Sequence, residues 1–229
     1  MAIILIASLA PVVILLLYIY AKDRYQKEPF GQLMKALLGG VLAAVLDIIL
    51  LSVVNLFINP VFSSGLQGAL YQAFCMAAMP EELCKLFFLY LFIWNSRYFD
   101  EYYDGVEYAA FVGLGFAGLE NLMYVLQGGV SVAVGRALFA VPAHFFFAIF
   151  MGYFFSMAKF KPWKKGSYLL LAYIVPVILH GIYDGILMTQ NVIAEAAPST
   201  AGFLGVGFFI FFLFVWKAAV KRVKSMVGK

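Results

Sequence analysis

Apolar residues run along this chain in long, nearly unbroken stretches, not in the one-sided spacing of elements that face water. The stretches are Met1–Ala21, Ala36–Ile58, Ala69–Trp94, Gly105–Leu126, Ser131–Ala158, Ser167–Gln190 and Ala201–Trp216. Each is near the ~20 residues that an α-helix needs to cross a hydrocarbon core. Breaks rich in helix-stopping residues separate them, among them Asn59-Pro60, Gln127-Gly128-Gly129 and the Lys159–Lys165 segment KFKPWKK. The pattern predicts an all-α polytopic membrane protein, a bundle of about seven transmembrane helices. Within the third stretch, Pro80 predicts either a short outer helix followed by a span or one kinked helix. Pro176 invites a similar kink in the sixth. The first stretch has no basic leader and no small-residue cleavage site, so it reads as an uncleaved helix.

Composition narrows the class. Of 229 residues, 65% are hydrophobic and 12% charged, and the mean hydropathy is +0.95, which excludes a soluble cytosolic enzyme. With 24 Phe and 14 Tyr the chain has ample surface to bury, so disorder is excluded too. About seven spans with short loops leave no room for a separate soluble domain, and residues 1–229 read as a single integral membrane domain. The net charge of +4 does not imply a nucleic-acid partner. The basic residues sit beside apolar stretches, where they act as topology signals and lipid anchors.

Their distribution sets an orientation. Lys22, Arg24, Lys27 and Lys35 follow the first helix, and Arg97 follows the third. Lys159, Lys161, Lys164 and Lys165 follow the fifth, and Lys217, Lys221, Arg222, Lys224 and Lys229 follow the seventh. By the positive-inside rule the N-terminus lies outside and the C-terminus in the cytoplasm, leaving only Lys85 and Arg136 within spans. Cys75 and Cys84 lie on one helix about 13.5 Å apart along its axis, too far to bridge.

Ionisable groups inside a bilayer are costly and tend to face the bundle interior. Here they are Asp47, Glu81, Glu82, Lys85, Glu107, Glu120, Arg136, His144, His180 and Asp184. At about 1.5 Å per residue, Glu81, Glu82, Glu120, His180 and Asp184 lie roughly 9 to 20 Å below the outer surface, with His144 just deeper. Four helices therefore deliver carboxylate or imidazole to one layer of the outer half. Helical spacing lets Glu81 and Glu82 reach Lys85, and lets His180 reach Asp184. With every carboxyl ionised and both histidines neutral, the layer would hold an excess of negative charge, so a carboxyl is expected to be protonated or a histidine charged. A carboxylate beside a carboxylic acid supplies the parts for general base and general acid work on water. HExxH, GxGD and GxSG are absent, which leaves glutamate as the candidate chemistry for an intramembrane protease.

The less committal readings are concrete. Glu81 and Glu82 could form only a structural pair with Lys85, Glu120 could bond a neighbouring helix, and His144 could be a satisfied core group. Arg136 could snorkel toward the outer boundary or balance charge at the site. Asn121 is expected to tie helices together, Asp47 to make a helix–helix contact, and Glu107 to sit at the inner boundary. Phe145–Phe147 and Phe208–Phe214 read as lipid-facing or core surface. Gly113, Gly115 and Gly118 are expected to allow close packing of the fourth helix.

Four blocks in order resemble a known family: EELCK at Glu81–Lys85, FDEYYDGVEYAAFVGLGFAGLENLMYV at Phe99–Val125, Arg136 with PAHFFFAIFMGY at Pro142–Tyr153, and LHGIYDG at Leu179–Gly185. Together they resemble the PrsW family of bacterial intramembrane proteases, over a catalytic core of about residues 70–190. That family is similar to the type II CAAX prenyl endopeptidases, the Abi family and the Aph subunit of gamma-secretase. The resemblance implies a multi-pass protein of the bacterial cell membrane that carries out site-1 cleavage of a membrane-spanning anti-sigma factor in a stress response. By the same similarity Glu81 would activate the water and His180 would help form the oxyanion site. The chain departs from the CAAX pattern, with Glu120 where that family has histidine, Lys85 where it has arginine at another spacing, and Asp184 where it favours asparagine. An ionised Asp184 cannot donate to an oxyanion, so it is expected to orient or charge His180 instead.

The resulting expectation is a glutamate-dependent, non-covalent peptidase without cofactor or metal. Glu81 acts with Glu120 on water, Glu82 and Lys85 tune the charge, and His180 with Asp184 stabilises the tetrahedral intermediate. Lys85, His144, Arg136 and Asn121 are supporting residues. The rivals are a metal-dependent hydrolase using Glu81, Glu120, His144 and His180, and a proton-coupled transporter or scaffold. The sequence leaves the oligomeric state open.

Overall fold

The structure, a computed structural model, describes residues 2–23, 26–57 and 64–227. Arg24, Ile58, the Asn59-Pro60 break and Lys229 lie outside the described residues. Among those described, the regular elements are all helical: α1 (Ala2–Lys22), α2 (Phe30–Phe57), α3 (Gly65–Tyr71), α4 (Met79–Ile93), α5 (Tyr102–Gly135), α6 (Val141–Phe160), α7 (Lys165–Ile193) and α8 (Pro198–Met226), with short π and 3-10 turns between some of them. Five helical stretches are long and apolar enough to cross a membrane. One of these, Tyr102–Phe160, is bent at Gly129, where φ is 72° and ψ −168°. Only glycine adopts that conformation readily, and because Gly129 is non-helical the expected break between the fourth and fifth helices falls there, at the end of Gln127-Gly128-Gly129.

Several boundaries move outward. The second helix begins at Phe30 instead of Ala36, directly after Pro29, whose carbonyl accepts from Gln32 and Leu33 N–H at 2.8 and 3.2 Å, and Lys35 lies exposed within its first two turns. The last helix runs on to Met226, so the basic tail is helical. Pro176 sits within α7, which continues through it. The third stretch is a short α3, a π-helical turn over Gln72–Ala78, and α4. Pro80 occupies the first turn of α4, where no intrahelical N–H is needed. The same arrangement recurs at Arg136–Ala140, a π turn followed by Pro142 in the first turn of α6.

α5 and α6 are the innermost elements, buried from Tyr103 to Gly118 and from Ala143 to Gly152. Phe145, Phe146 and Phe147 face this core, while α8 is two-sided, with Phe208 and Phe212 buried and Phe209 and Phe214 exposed. α2 packs against α5 at two glycines. A side chain at Gly40 would collide with the carbonyl of Val112, and one at Gly115 with the carbonyl of Leu37. Gly113 likewise abuts Ala148 on α6, whereas Gly118 has ordinary room beside Val12. Cys75 is exposed and Cys84 buried, and both are free thiols.

The loops at one end of the bundle are tied to each other. Lys159 donates to the Trp94 carbonyl at 2.7 Å, Lys165 approaches the Tyr90 hydroxyl at 3.2 Å, and Gln26 reaches Asp100 at 3.3 Å. This end also carries a capping box at the start of α5, formed by Glu101 and Asp104. Tyr108 donates its hydroxyl to Glu28, whose carboxyl is pushed by burial up to about 8.

Candidate active site

The π turns and their prolines set the position of the polar residues. Glu81, Glu82 and Lys85 occupy the first two turns of α4, one face of a helix that begins immediately after the Gln72–Ala78 turn. His144 lies in the first turn of α6, just beyond the Arg136–Ala140 turn. π turns are uncommon and concentrate at functional sites. α5 contributes Glu120 and Asn121, and α7 contributes His180 and Asp184 one turn apart.

These side chains form one connected network. The Lys85 ammonium lies 3.2 Å from Glu81 Oε2, 2.8 Å from Glu82 Oε1 and 3.1 Å from His144 Nδ1. It also sits 4.0 Å from the centre of the Phe116 ring. Because an ammonium only donates, His144 accepts at Nδ1 and therefore carries its proton on Nε2. That proton is directed at Glu120 Oε2, 2.9 Å away. The same oxygen accepts from Arg136 Nη2 at 2.8 Å. Arg136 Nε donates to Asn121 at 2.9 Å, and the Asn121 amide donates to the Ser8 carbonyl on α1 at 2.7 Å. Arg136 is therefore an ion-pair partner of Glu120, and its guanidinium also covers Tyr124 at 4.1 Å.

His180 closes the network from the other side. Its Nδ1 is 2.9 Å from Glu82 Oε1 and its Nε2 is 3.2 Å from Asp184 Oδ2. A carboxylate facing each ring nitrogen is satisfied when both nitrogens carry protons, so this geometry suits the imidazolium. Phe147 stacks on the ring at 5.1 Å, and the two imidazoles meet edge to face at 5.2 Å.

The adjacent glutamates are both buried but face different surroundings. Glu82 is fully buried and lies behind the network with Lys85, whereas Glu81 borders a cavity of about 610 Å³. Glu120, Arg136, His144, His180 and Asp184 border the same cavity. Its other walls include Ser131, Val132, Met188 and Gly205, which belong to the Gly129 bend and to the α7–α8 end. The cavity thus lies toward the end of the bundle opposite the tied basic loops.

Asp47, read from sequence as a helix–helix contact, is buried on α2, and its charged neighbours include Lys85, Glu120, His180 and Glu82. A position on a long apolar helix gives little sign of which neighbour it faces. Glu107 is a different case. It is fully buried within the bundle, at the far end from the cavity, among Asp23, Glu28 and Asp104.

One oxygen or nitrogen from each of Glu81, Glu82, His144 and His180 lies within 4.8 Å of the others, a set that a divalent ion such as zinc could use. Glu82 Oε2 is buried without a hydrogen-bond partner. The remaining contacts do not fit a resident metal. The Lys85 ammonium already occupies the place of the cation against three of these four residues, and both nitrogens of His180 are turned to carboxylates. A ligating histidine needs a bare nitrogen lone pair.

A family model described as PrsW family intramembrane metalloprotease matches residues 28–217. A protein named Protease PrsW from Geobacillus kaustophilus is 38% identical over 222 residues, covering 97% of this chain and 91% of that protein. Its namesake from Bacillus subtilis is 33% identical over 221 residues, covering 96% and 93%. Another from Clostridioides difficile is 35% identical over 189 residues, covering 80% and 78%. No solved structure matches the chain.

Proposed function

The chain belongs to the PrsW family and is a membrane endopeptidase, and from that premise we propose that it hydrolyses a peptide bond of a membrane-spanning substrate with water activated by Glu81. The observation that carries this reading is the contrast within one dipeptide: Glu81 borders the cavity, whereas Glu82 is sealed between Lys85 and His180. Glu81 is the carboxylate able to hold a water, take its proton during attack on the scissile carbonyl, and return that proton to the leaving amine. The oxyanion that forms is stabilised by N–H donors bordering the cavity. His180 is the principal donor: its Nε2–H turns from Asp184 to the oxyanion as this forms, while Glu82 holds the ring at Nδ1 and Asp184 favours its charged form. Glu120, fixed by Arg136 and His144, is the second acidic group facing the water. No covalent intermediate is needed.

The substrate we propose is a membrane-spanning anti-sigma factor, cut near its extracytoplasmic side in the manner of site-1 proteolysis, with the enzyme in the bacterial plasma membrane. We propose seven crossings with the N-terminus outside, an orientation in which the basic loops are cytoplasmic and the cavity lies toward the outer face. The chain works as one membrane domain. A second reading, a catalytic divalent ion held by Glu81, Glu82, His144 and His180 with Lys85 displaced, draws on the four-donor spacing and the orphan oxygen of Glu82. One experiment separates the two. Purified protein is reconstituted with a single-pass substrate, and cleavage is followed by mass spectrometry in wild type and Glu81→Gln, with and without a strong chelator. The Glu81 reading expects cleavage that survives chelation and is lost in Glu81→Gln. Loss on chelation with recovery on adding Zn²⁺ would establish the metal reading instead.

A further inference from the structure

A second group of carboxylates lies at the end of the bundle away from the cavity. Glu28, just ahead of α2, and Asp100 and Asp104, at the start of α5, each bring a carboxylate oxygen within 4.8 Å of the others. Glu28 and Asp104 are buried and Asp100 is exposed, so the group has one wet edge. Oxygens on opposite sides of one divalent ion stand at about this separation, because each lies roughly 2.0 to 2.6 Å from the metal.

Behind them is Glu107, one turn along α5 on the face that carries Asp104. It is fully buried, and neither of its carboxylate oxygens has a hydrogen-bond partner among the described residues. Its charged neighbours are Asp23, Glu28, Asp104 and, with opposite sign, Lys27. The Lys27 ammonium is directed elsewhere, 2.7 Å from the Tyr20 carbonyl and 2.9 Å from that of Asp23, over the Tyr20 ring. A buried carboxylate set among further acids, with the Lys27 ammonium engaged by carbonyls, has no hydrogen-bonded counter-ion among the described residues.

We propose that this end of the protein binds one hard divalent cation of the Mg²⁺, Mn²⁺ or Ca²⁺ class through Glu28, Asp100 and Asp104, with Glu107 completing the negative field behind them. An all-oxygen donor set without histidine or cysteine selects such ions over Zn²⁺. Bound there, the ion pins the segment before α2 to the start of α5, the helix that carries Glu120 to the cleavage site. The site is independent of the proposed proteolytic mechanism.

The test is a Mn²⁺ titration of purified, chelator-stripped full-length protein in detergent, with free Mn²⁺ read by electron paramagnetic resonance. Wild type is expected to bind about one equivalent that excess Mg²⁺ or Ca²⁺ displaces. Asp100→Asn, at the exposed edge, and Glu107→Gln are each expected to weaken binding by about tenfold or more, the equivalent of about 1.4 kcal/mol. The double variant Glu81→Gln, His180→Ala disables the donor set at the cavity and is expected to bind Mn²⁺ as wild type does. Absence of saturable binding in wild type would overturn the proposal. So would binding that Asp100→Asn leaves unchanged, or binding that vanishes in the cavity variant.

Discussion

Glu81 and Glu82 are neighbours in sequence and share the same ammonium, yet only Glu81 borders the cavity. Replacing Glu81 by Gln keeps size and removes the proposed base, so the turnover number is expected to fall by about 10²- to 10⁴-fold with thermal unfolding nearly unchanged. Lys85 calls for the opposite expectation. Lys85→Met leaves Glu82 buried without its ammonium, and the loss of stability is expected to be about 3 to 5 kcal/mol, measured by denaturant titration in detergent. Asp184→Asn removes the carboxylate at 3.2 Å from His180 Nε2 and leaves Glu82 at Nδ1. A fall in the turnover number of about tenfold, with KM little changed, is expected if Asp184 charges His180, and full activity in that variant would count against the role. The polar residues themselves were legible in the sequence because charges inside apolar stretches stand out. Their pairing was not, and Arg136 is the clearest instance: its bond to Glu120 reaches back across the Gly129 bend, which residue spacing does not encode.

At the level of elements, the two π turns each stand before a proline, and each proline opens the helix that carries active-site residues. A proline lacks the N–H and crowds the carbonyl four residues back, so it favours a first-turn position. From sequence Pro80 signalled a disturbance, while its form as a wide turn followed by a new helix appears only in the packed bundle, where Phe74 of the turn lies against Gly181 of α7. The α2–α5 contact gives a sharper test. Gly115→Ala drives a methyl into the Leu37 carbonyl, and a destabilisation of about 1 to 3 kcal/mol is expected in thermal or denaturant unfolding. Gly118→Ala, with its nearest neighbour at 3.7 Å, is expected to be neutral or to stabilise by up to about 1 kcal/mol through helix propensity. Equal effects of the two substitutions would contradict the packing described.

For the molecule as a whole, the tied basic loops and the cavity at the opposite end define an axis, and the proposed orientation follows from it. In a Cys75→Ala, Cys84→Ala background, a cysteine at exposed Glu195 is expected to react with an impermeant thiol reagent added outside intact cells. A cysteine at exposed Lys164 is expected to react only after the membrane is opened. The reverse pattern would invert the proposed topology.

The chain's apolar stretches by themselves determined that it is helical and suited to a membrane, and its charges determined which side chains had to be gathered inside. Both are local properties: a helix in lipid must satisfy its own backbone, and a buried charge must find a partner somewhere. Which partner it finds depends on how each helix is rotated about its axis, and apolar surface is nearly as content against lipid as against another helix. Only the packed bundle therefore decided that Glu81 borders the cavity while Glu82 is sealed, that Lys85 stands where a metal ion would, and that Glu107 looks into an acidic recess at the far end.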